Sequence, residues 1–580
     1  MRMDFMSNIL ATFVDTNRRW SMRDLGDIIM MTTSEIELWK RDYAYVQFFI
    51  RSDVGTNIDI QLRGGEGLSV ELFTLDTTRA FIGHAGWYAR NPKGIMPTGP
   101  KVDVDDILAP FEPFAMQDSG YKCVFAKISS SDMVGVRRLY FDVMDGANIG
   151  VTLVLGVNIL PIDMPSPTDF TFKVEYWNHP YNVAEYYGVE PWSTEHLDIM
   201  REHQKLYKEL GGSGVTCTVL DEVWGGQTYS KNEIRYPSMV KWIYDRGKWS
   251  FDYTDFDKWV DLNVELGLDD KFICYSMMPW GNLMRYYDKG KSKYVNRHVP
   301  TLLKGKYQRA WRVFLTDFVR HLDERDMFDS VYIGFDERNN MDMILDFLDT
   351  FVNKDGHHFK IAASFNNYIG NKQCLDRIDS ASVGLDEIKA HQAEYERIVA
   401  ERASEGKCTT MYTATEHYPN SFALSLPAES YWSIIYARST GNNGFLRWAF
   451  DAWVEAPLVD TTHWSFQAGD CFLIYPAKQG YKPSLSYRLV KLDEAVRDVN
   501  KLAVLAQNEE LAGGISKIFD LSRKNYTYRD EYNKTWGKAI RHAKWADEEA
   551  KIAIWNDVNN MKRGVIELTH RYIEGINKVQ

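Results

Sequence analysis

Cysteine is scarce in this chain, and none of the patterns that use it is present. The 580 residues include 6 cysteines, with no CxxC pair and no close spacing among them. Scattered thiols, some of them inside apolar strand-like runs, are typical of buried free cysteines in a reducing compartment. No HExxH or comparable spacing of ligand residues occurs either, so the sequence predicts no catalytic metal and no cofactor.

Long apolar runs and a basic stripe are also missing. No stretch reaches the roughly 18 apolar residues of a membrane-spanning helix, so no membrane span is expected. The first residues, MRMDFMSNILATFVDTNRRW, lack a clean apolar core and a small-residue cleavage site, which favours a cytoplasmic protein. With 68 basic against 80 acidic residues the formal charge is −12, and no nucleic-acid partner is expected.

Glycine and proline are too few for a disordered or collagen-like chain. They number 39 and 18, whereas 45% of the residues are hydrophobic and 26% are charged. This composition indicates a globular protein. Aromatic residues are abundant, with 18 Trp, 33 Tyr and 29 Phe. Flat rings with a polar handle serve both large cores and sugar-binding clefts, and large cores explain most of them.

The first 168 residues have the pattern of a β-sandwich. Short runs rich in β-branched and aromatic residues alternate there with clusters of Gly, Asn and Asp. These runs are YAYVQFFI (43–50), IDIQL (58–62), SVELFTL (69–75), RLYFDVM (138–144) and VTLVLGVNIL (151–160). They predict an antiparallel β-sandwich domain over residues 1–168, and the proline-rich segment PIDMPSPTDF (161–170) is the natural linker.

Residues 169–510 alternate between strand-like runs and amphipathic helical stretches. The strand-like runs are TFKVEYW (171–177), VTCTVL (215–220), FICYSMM (272–278), SVYIGF (330–335), KIAASF (360–365), ASVGL (381–385), CTTMYT (408–413) and GFLRWAF (444–450). Eight strands, each followed by a helix, predict an α/β fold with a (β/α)8 TIM barrel as the catalytic domain. The competing fold, a doubly wound sheet, requires a glycine-rich turn after the first strand. The sequence has NHPYNVAEYYG at that position, so the barrel is preferred.

Residues 511–580 carry helical runs without a chemical motif. The longest is AKWADEEAKIAIWNDVNNMKRGVIELTHRYIEGI (543–576). A C-terminal helical extension that packs on the rest of the chain is the simplest interpretation. An oligomer contact, as in a homodimer, is the alternative.

An acidic pair, Asp336 and Glu337, follows the fourth predicted strand, and barrel active sites lie at the carboxyl ends of the strands. Two carboxyl groups held close together cannot both ionise freely, so one pKa rises. The pair then offers one charged carboxylate and one proton donor, as glycosidic cleavage requires. The competing interpretation is an ordinary acidic pair at a helix N-terminus. Asp221 and Glu222, after the second strand, are a rival for the catalytic role.

Aromatic and polar side chains accumulate at the other predicted strand ends. They include Trp177-Asn178-His179, Trp224 with Gln227 and Tyr229, Trp280-Gly281-Asn282, Asn366-Asn367-Tyr368, Tyr412 with Glu416-His417, and Trp448 with Asp451 and Trp453. Rings stack on the C–H face of a sugar while amides and carboxylates bind its hydroxyls. Each aromatic alone fits a core position, but the repeated mixture favours a glycan substrate.

The order of several blocks resembles a known family. The blocks are YWNHPYNVAEYYGVEPWS, WGGQTY with SMVKW, CYSMMPWGN with RYYD, YIGFDER, and GFLRWAFDAWVEAPLVDT followed by AGDCFLIYP. Together, from about residue 171 to 490, they resemble the family-123 glycoside hydrolases, which are β-N-acetylgalactosaminidases with an N-terminal β-sandwich and a (β/α)8 catalytic barrel.

The resemblance implies a retaining, substrate-assisted mechanism without an enzyme nucleophile. The 2-acetamido oxygen of the substrate attacks the anomeric carbon and forms an oxazolinium intermediate, an exception to the usual two-carboxylate pattern. Carried onto this chain, Asp336 would orient and polarise the acetamido group. Glu337 would protonate the leaving oxygen and then activate water.

We therefore expect an exo-acting hydrolase that releases terminal β-linked N-acetylgalactosamine (GalNAc) from glycolipid-type glycans. The predicted substrate-binding residues are His179, Gln227, Trp280, Asn282, Tyr412, Trp448 and Asp451. Trp448 is the candidate platform for the sugar or the acetamido methyl, and Tyr412 is a candidate donor to the acetamido oxygen. The alternatives are the same scaffold acting on β-linked N-acetylglucosamine (GlcNAc) or an unsubstituted sugar, and a catalytically silent glycan-binding protein.

Overall fold

The N-terminal part of the chain folds into two β-sheets packed face to face. The computed structural model describes residues 8–83, 96–97, 99–299, 304–338, 341–531 and 543–579. The sandwich strands are Ile9–Val14, Thr33–Lys40, Tyr43–Ser52, Thr56–Gly64, Leu68–Phe81, Lys101–Pro110, Phe114–Met116, Tyr121–Ser130, Gly135–Asp145 and Asn148–Asp163. Apolar side chains from both sheets, such as Phe48 and Phe141, are fully buried between them.

The pairing in the sandwich is antiparallel apart from one pair of strands. Thr33–Lys40 runs parallel to Asn148–Asp163. The strands predicted from the sequence are present, each longer than predicted. Two strands that follow the barrel, Ile474–Tyr475 and Ser484–Ser486, extend the sandwich sheet that contains Lys101–Pro110. Ser484–Ser486 pairs directly with Lys101–Pro110. This shared sheet fixes the sandwich against the barrel.

Eight parallel strands form the barrel, and they coincide with the eight predicted runs. They are Lys173–Tyr176, Val215–Thr218, Phe272–Tyr275, Val331–Phe335, Lys360–Phe365, Ser380–Gly384, Cys408–Tyr412 and Gly444–Arg447. From the second strand to the eighth, sequential neighbours pair, and the eighth strand pairs with the first. The first strand meets the chain just ahead of the second strand through a single bridge between Val174 and Gly212, with the Val174 N–H donating to the Gly211 carbonyl at 3.0 Å. The predicted TIM-like barrel is therefore confirmed and nearly closed.

Helices cover the outside of the barrel and the end of the chain. They are Pro180–Tyr187, Thr194–Glu209, Thr254–Glu265, Gly305–Glu324, Asp342–Leu348, Lys372–Leu375, Leu385–Ala390, Gln392–Ser404, Pro427–Ser439, Tyr487–Leu505, Ala512–Ser522 and Glu548–Val579. Gly305–Glu324 shows why they form, because Trp311, Leu315, Phe318 and Leu322 recur at helical spacing on one buried face. The stretch predicted as one helix over 387–403 is two helices that meet at His391.

The C-terminal part of the chain is largely helical, but its longest helix begins later than the helical run predicted over 543–576. Ala543–Ala546 is a strand paired with Tyr528–Glu531, and the long helix begins at Glu548. That helix packs on the barrel side through buried residues such as Val558, and it reaches the sandwich, where Trp555 Nε1 donates to Asp15 Oδ2 at 2.7 Å. Among the described helices, none combines the length and apolarity needed to cross a bilayer.

The loops after the second and third barrel strands build a small sheet at the carboxyl end of the barrel. Its strands, in spatial order, are Lys248–Asp252, Lys241–Asp245, Leu283–Asp288 and Lys293–His298. The first two are joined by Arg246 and Gly247, both with positive φ, as a tight hairpin turn requires. This four-stranded sheet is absent from the sequence prediction.

Candidate active site

Asp336 and Glu337 lie at the carboxyl end of the fourth barrel strand. The strand ends at Phe335, and Glu337 then adopts a left-handed backbone with φ of 48°. Adjacent side chains of a straight strand point to opposite faces, so this turn is what brings both carboxyl groups to the barrel mouth. The Glu337 N–H donates to the Ser364 carbonyl at 3.1 Å and fixes the turn against the fifth strand.

Asp336 is held by groups from the loop after the third strand. Trp280 Nε1 donates a hydrogen bond of 2.7 Å to Asp336 Oδ2. The Arg338 guanidinium lies over the Trp280 ring, 3.8 Å from its centroid, and Arg338 Nε donates to the Met278 carbonyl at 3.0 Å. The Trp280 indole is thus fixed between the Arg338 guanidinium and the Asp336 carboxyl group, to which it donates.

A tight approach of two loops places Trp280. Gly225, in the loop after the second strand, has a positive φ of 60°, and a Cβ at this position would lie 2.8 Å from the Trp280 Cβ. Only glycine permits both the backbone conformation and the approach.

Glu337 has its own hydrogen-bond donors, which come from other strands. The Tyr412 hydroxyl at the end of the seventh strand donates to Glu337 Oε1, and Asn366 Nδ2 after the fifth strand donates to Oε2 at 3.3 Å. The two carboxyl groups therefore sit side by side with separate partners.

Burial is the main influence on the titration of this pair. It raises the pKa of Asp336, and the charge of Glu337 raises it further. Burial also raises the pKa of Glu337, while hydrogen bonds from Tyr412 and Asn366 oppose the shift. The nearby charge of Arg338 lowers the pKa of both carboxyl groups. The pair consequently keeps one proton to a higher pH than an isolated carboxyl group does.

Asp336 and Glu337 face a narrow cavity at the barrel mouth. Its other lining residues are Trp177, Gln227, Ser364, Tyr412, Thr413, Ala414, Thr415, Leu446, Trp448, Phe466 and Asp470. Three predicted substrate-binding residues, Gln227, Tyr412 and Trp448, therefore share this cavity with the acidic pair. Trp448 packs edge-on against Phe466, with ring centroids 5.3 Å apart.

A wider cleft of about 590 Å³ adjoins the cavity. Gln227 and Phe466 line both spaces, and the predicted residues Trp280 and Asn282 line the cleft. The volume is within the roughly 300–1,000 Å³ of typical ligand sites. The arrangement is a narrow pocket that contains the acidic pair and opens into a wider groove.

The other two predicted binding residues, His179 and Asp451, line neither space. Both are fully buried. Asp451 accepts the His179 N–H at 2.6 Å and contacts His203 Nδ1 at 2.8 Å, and His179 Nε2 lies 3.0 Å from the Trp448 carbonyl. Burial lowers the pKa of His179 to about 4, so the ring is neutral near pH 7. His179 therefore lies behind Trp448 and contacts its backbone, and Asp451 holds His179 in place, so neither side chain forms part of the wall of either space.

The rival acidic pair is engaged elsewhere. Asp221 accepts the Ser238 N–H at 2.7 Å, and burial raises its pKa to about 6. Glu222 accepts the Arg235 N–H and lines only the cleft. Neither carboxyl group lies in the narrow cavity with Trp448 and Tyr412.

Several cavity residues are not in the predicted substrate-binding set. Trp177, which the sequence analysis names only among the strand-end residues, directly follows the first strand, and 413–415 follow the seventh, so strand-end position is a signal that could have found them. Phe466 and Asp470 come from the long loop after the eighth strand, which has no periodicity to place them. Asp470 forms a buried ion pair with Arg447, and its Oδ2 accepts from the Thr415 hydroxyl at 2.7 Å. Its oxygens are therefore occupied.

Comparisons with known proteins find similarity to glycoside hydrolases. The sequence profile of the glycoside hydrolase 123 catalytic domain matches residues 177–505. The chain is similar to a family 123 glycoside hydrolase from Clostridium perfringens, whose structural analysis concerns glycolipid glycan hydrolysis, with a TM-score of 0.86 and 27% identity over 98% of this chain and 99% of that chain. A family 39 glycoside hydrolase from Bacteroides cellulosilyticus WH2 aligns at a TM-score of 0.34 and 11% identity, over 82% of this chain and 83% of that one. No curated protein matches the chain.

Proposed function

The chain belongs to glycoside hydrolase family 123, and from this premise we propose that it releases terminal β-linked GalNAc from glycolipid-type glycans. The observation that carries the proposal is the adjacency of Asp336 and Glu337, each with its own donor, in one narrow cavity. A nucleophile and an acid that flank a glycosidic bond are separated by about 5–5.5 Å across it. Neighbouring residues on one side suit an acid and a helper for an internal nucleophile instead.

The acetamido group of the substrate supplies that nucleophile in the proposed reaction. Its N–H hydrogen-bonds to Asp336, which favours the ionised form of this carboxyl group and leaves the shared proton on Glu337. The acetamido oxygen attacks the anomeric carbon while Glu337 protonates the leaving oxygen. Water activated by Glu337 then opens the oxazolinium ring, with retention of configuration.

No other carboxylate in the cavity suits the role of an enzyme nucleophile. Among the described lining residues, Asp470 is the remaining acid, and Arg447 and Thr415 occupy its two oxygens. The rings of Trp177 and Trp448 offer apolar surface for the sugar or the acetamido methyl. Tyr412, a candidate donor to the acetamido oxygen, donates to Glu337 in this structure, so we assign it to that carboxyl group.

Aryl glycosides test the proposal directly. We expect hydrolysis of nitrophenyl β-GalNAc to exceed that of the β-GlcNAc epimer, and the β-galactoside, which lacks the acetamido group, to be inert. GalNAc-thiazoline, which mimics the oxazolinium ion, should inhibit strongly. Appreciable galactoside turnover, or a fluorosugar adduct on a peptide carrying Asp221 or Asp336, would exclude the substrate-assisted route. Binding of glycans without any turnover would identify a silent glycan-binding protein.

A further inference from the structure

The hairpin formed by Leu283–Asp288 and Lys293–His298 continues the wall of the cleft. Directly paired residues of an antiparallel hairpin share a face, and the faces alternate along each strand. One face carries the pairs Leu283 with His298, Arg285 with Asn296, and Tyr287 with Tyr294. Leu283, Asn296 and His298 line the cleft. The same face therefore extends outward from the cleft through the remaining three side chains.

The opposite face of the hairpin packs on the protein. Met284 and Tyr286 are buried, and the Tyr286 ring contacts the rings of Trp249 and Tyr244 at centroid distances of 5.0 and 5.9 Å. This packing fixes the hairpin, so the orientation of the cleft-side face does not depend on a ligand.

Tyr294 and Arg285 form an ordered pair on that cleft-side face. Tyr294 is 53% exposed, and the Arg285 guanidinium lies 4.4 Å from its ring centroid. The Tyr287 ring supports Tyr294 edge-on at 5.4 Å. No hydrogen bond or ion pair holds Arg285 among the described residues, although its charge is close enough to Asp221 to lower the pKa of that carboxyl group. An exposed ring thus adjoins a guanidinium that is free to bind an anion.

The charge of the hairpin reinforces this arrangement. Its cationic residues are Arg285 on the cleft-side face, Lys289 and Lys291 in the turn, and Lys293 and Arg297, whose partners Asp288 and Met284 place them on the opposite face. Its acidic residue is Asp288, which pairs with Lys291. The chain as a whole carries a formal charge of −12. A local cationic surface beside a cleft attracts anionic ligands, and this attraction weakens as salt is added.

We propose that the Arg285–Tyr294 face of this hairpin is a subsite for the leaving part of the glycan, and that it takes a sugar bearing an anionic group. A sugar ring would stack on Tyr294, and a carboxylate or a sulfate ester would pair with Arg285. The inference rests on the proposed function, because it assumes that the terminal GalNAc occupies the narrow cavity and that the leaving glycan follows the cleft.

Matched substrates test the subsite. kcat/KM is measured on nitrophenyl β-GalNAc, on a neutral GalNAc-terminated oligosaccharide, and on the same oligosaccharide carrying either a carboxylated or a sulfated neighbouring sugar. At low salt we expect the wild type to favour an anionic oligosaccharide over the neutral one about tenfold, and the preference to shrink with added salt. The two anionic substrates distinguish a carboxylate subsite from a sulfate subsite.

Three variants complete the test. Arg285→Gln should abolish most of the anion preference, whereas Arg246→Gln, which removes the same charge from the neighbouring hairpin turn, should retain it. Tyr294→Ala should lower kcat/KM for oligosaccharides about tenfold more than for the nitrophenyl substrate, and Tyr294→Phe, which keeps the ring, should restore it. Equal rates on neutral and anionic oligosaccharides, or an anion preference unchanged in Arg285→Gln, would overturn the inference. Failure to hydrolyse nitrophenyl β-GalNAc would instead overturn the proposed function.

Discussion

The indole N–H of Trp280 donates a hydrogen bond of 2.7 Å to Oδ2 of Asp336. A donor at this oxygen favours the ionised carboxyl group, so the bond opposes the rise in pKa that burial and Glu337 cause. Tyr412 acts in the same sense on Glu337. Because Trp280 lies in the loop after the third strand and Tyr412 at the end of the seventh strand, the titration of each carboxyl group can be altered separately.

Replacing Trp280 with Phe should move the acid limb of the kcat/KM pH profile to higher pH. The ring stays beneath Arg338, but Asp336 loses its donor and its pKa rises, so a larger fraction is protonated at low pH. Loss of a hydrogen bond to a charged group predicts a decrease in kcat/KM of about tenfold or more. The measurement is the pH profile on nitrophenyl β-GalNAc. Trp249→Phe, on the far side of the small sheet, is the control, and an unmoved acid limb in Trp280→Phe would contradict the assignment.

Tyr412→Phe should shift the alkaline limb of the kcat/KM pH profile. Its hydroxyl lowers the pKa of Glu337, so its loss raises that pKa, and the protonated acid persists to higher pH. We expect the alkaline limb to move up while the maximal rate falls, because Glu337 is less well positioned. A shift of the acid limb alone would assign the tyrosine to Asp336 instead.

Glu337→Gln should lower kcat by an amount that depends on the leaving group of the substrate. A nitrophenolate departs without protonation, whereas the alkoxide of a sugar requires an acid. We expect kcat to fall far more for an oligosaccharide than for nitrophenyl β-GalNAc. Asp336→Asn should lower both about equally, because it acts on the acetamido group in either case. Full activity of Glu337→Gln on the oligosaccharide would remove Glu337 from the mechanism.

The barrel could be predicted from the sequence because its strands are buried on both faces. A run such as KIAASF is then almost continuously apolar and stands out from the helices beside it. Strands with one solvent-facing side give a weaker signal. Lys101–Pro110, KVDVDDILAP, alternates acidic and apolar residues and is not among the predicted strands.

The candidate site could be predicted only as far as strand ends determine it. Asp336, Tyr412 and Trp448 each lie at or next to the end of a strand and do face the cavity. Strand-end position does not specify which way a side chain points, so it could not show that His179 is buried. Phe466 lies in an irregular loop whose path depends on tertiary contacts.

Asp42→Asn should destabilise the junction between sandwich and barrel. Asp42 is buried and accepts from Arg497 at 2.8 Å and Lys501 at 2.9 Å. These cations, against the opposing effect of burial, lower its pKa to about 2. A folded pKa below the unfolded value stabilises above about pH 4, and this contribution is lost as the pH falls through the folded pKa.

We therefore expect Asp42→Asn to reduce the free energy of unfolding at pH 7 by about 3 kcal/mol, since two buried cations lose their partner. The difference from wild type should narrow by about half at pH 3. Denaturant unfolding at both pH values measures it. Asp53→Asn, whose side chain is 67% exposed beside Arg51, is the control and should change stability little.

Arg338→Met should move both limbs of the kcat/KM pH profile to higher pH. The guanidinium lowers the pKa of Asp336 and of Glu337, so removing its charge raises both. Trp280→Phe and Tyr412→Phe each move one limb, so a joint shift is the signature of the shared cation. Arg338→Lys, which keeps the charge, should bring both limbs part of the way back to their wild-type positions. Arg312 lies on the outer helix Gly305–Glu324, with its guanidinium 4.9 Å from the Phe347 ring centroid. As the control, Arg312→Met should leave both limbs of the pH profile at their wild-type positions. A lower melting temperature with unmoved limbs would reduce Arg338 to a packing role.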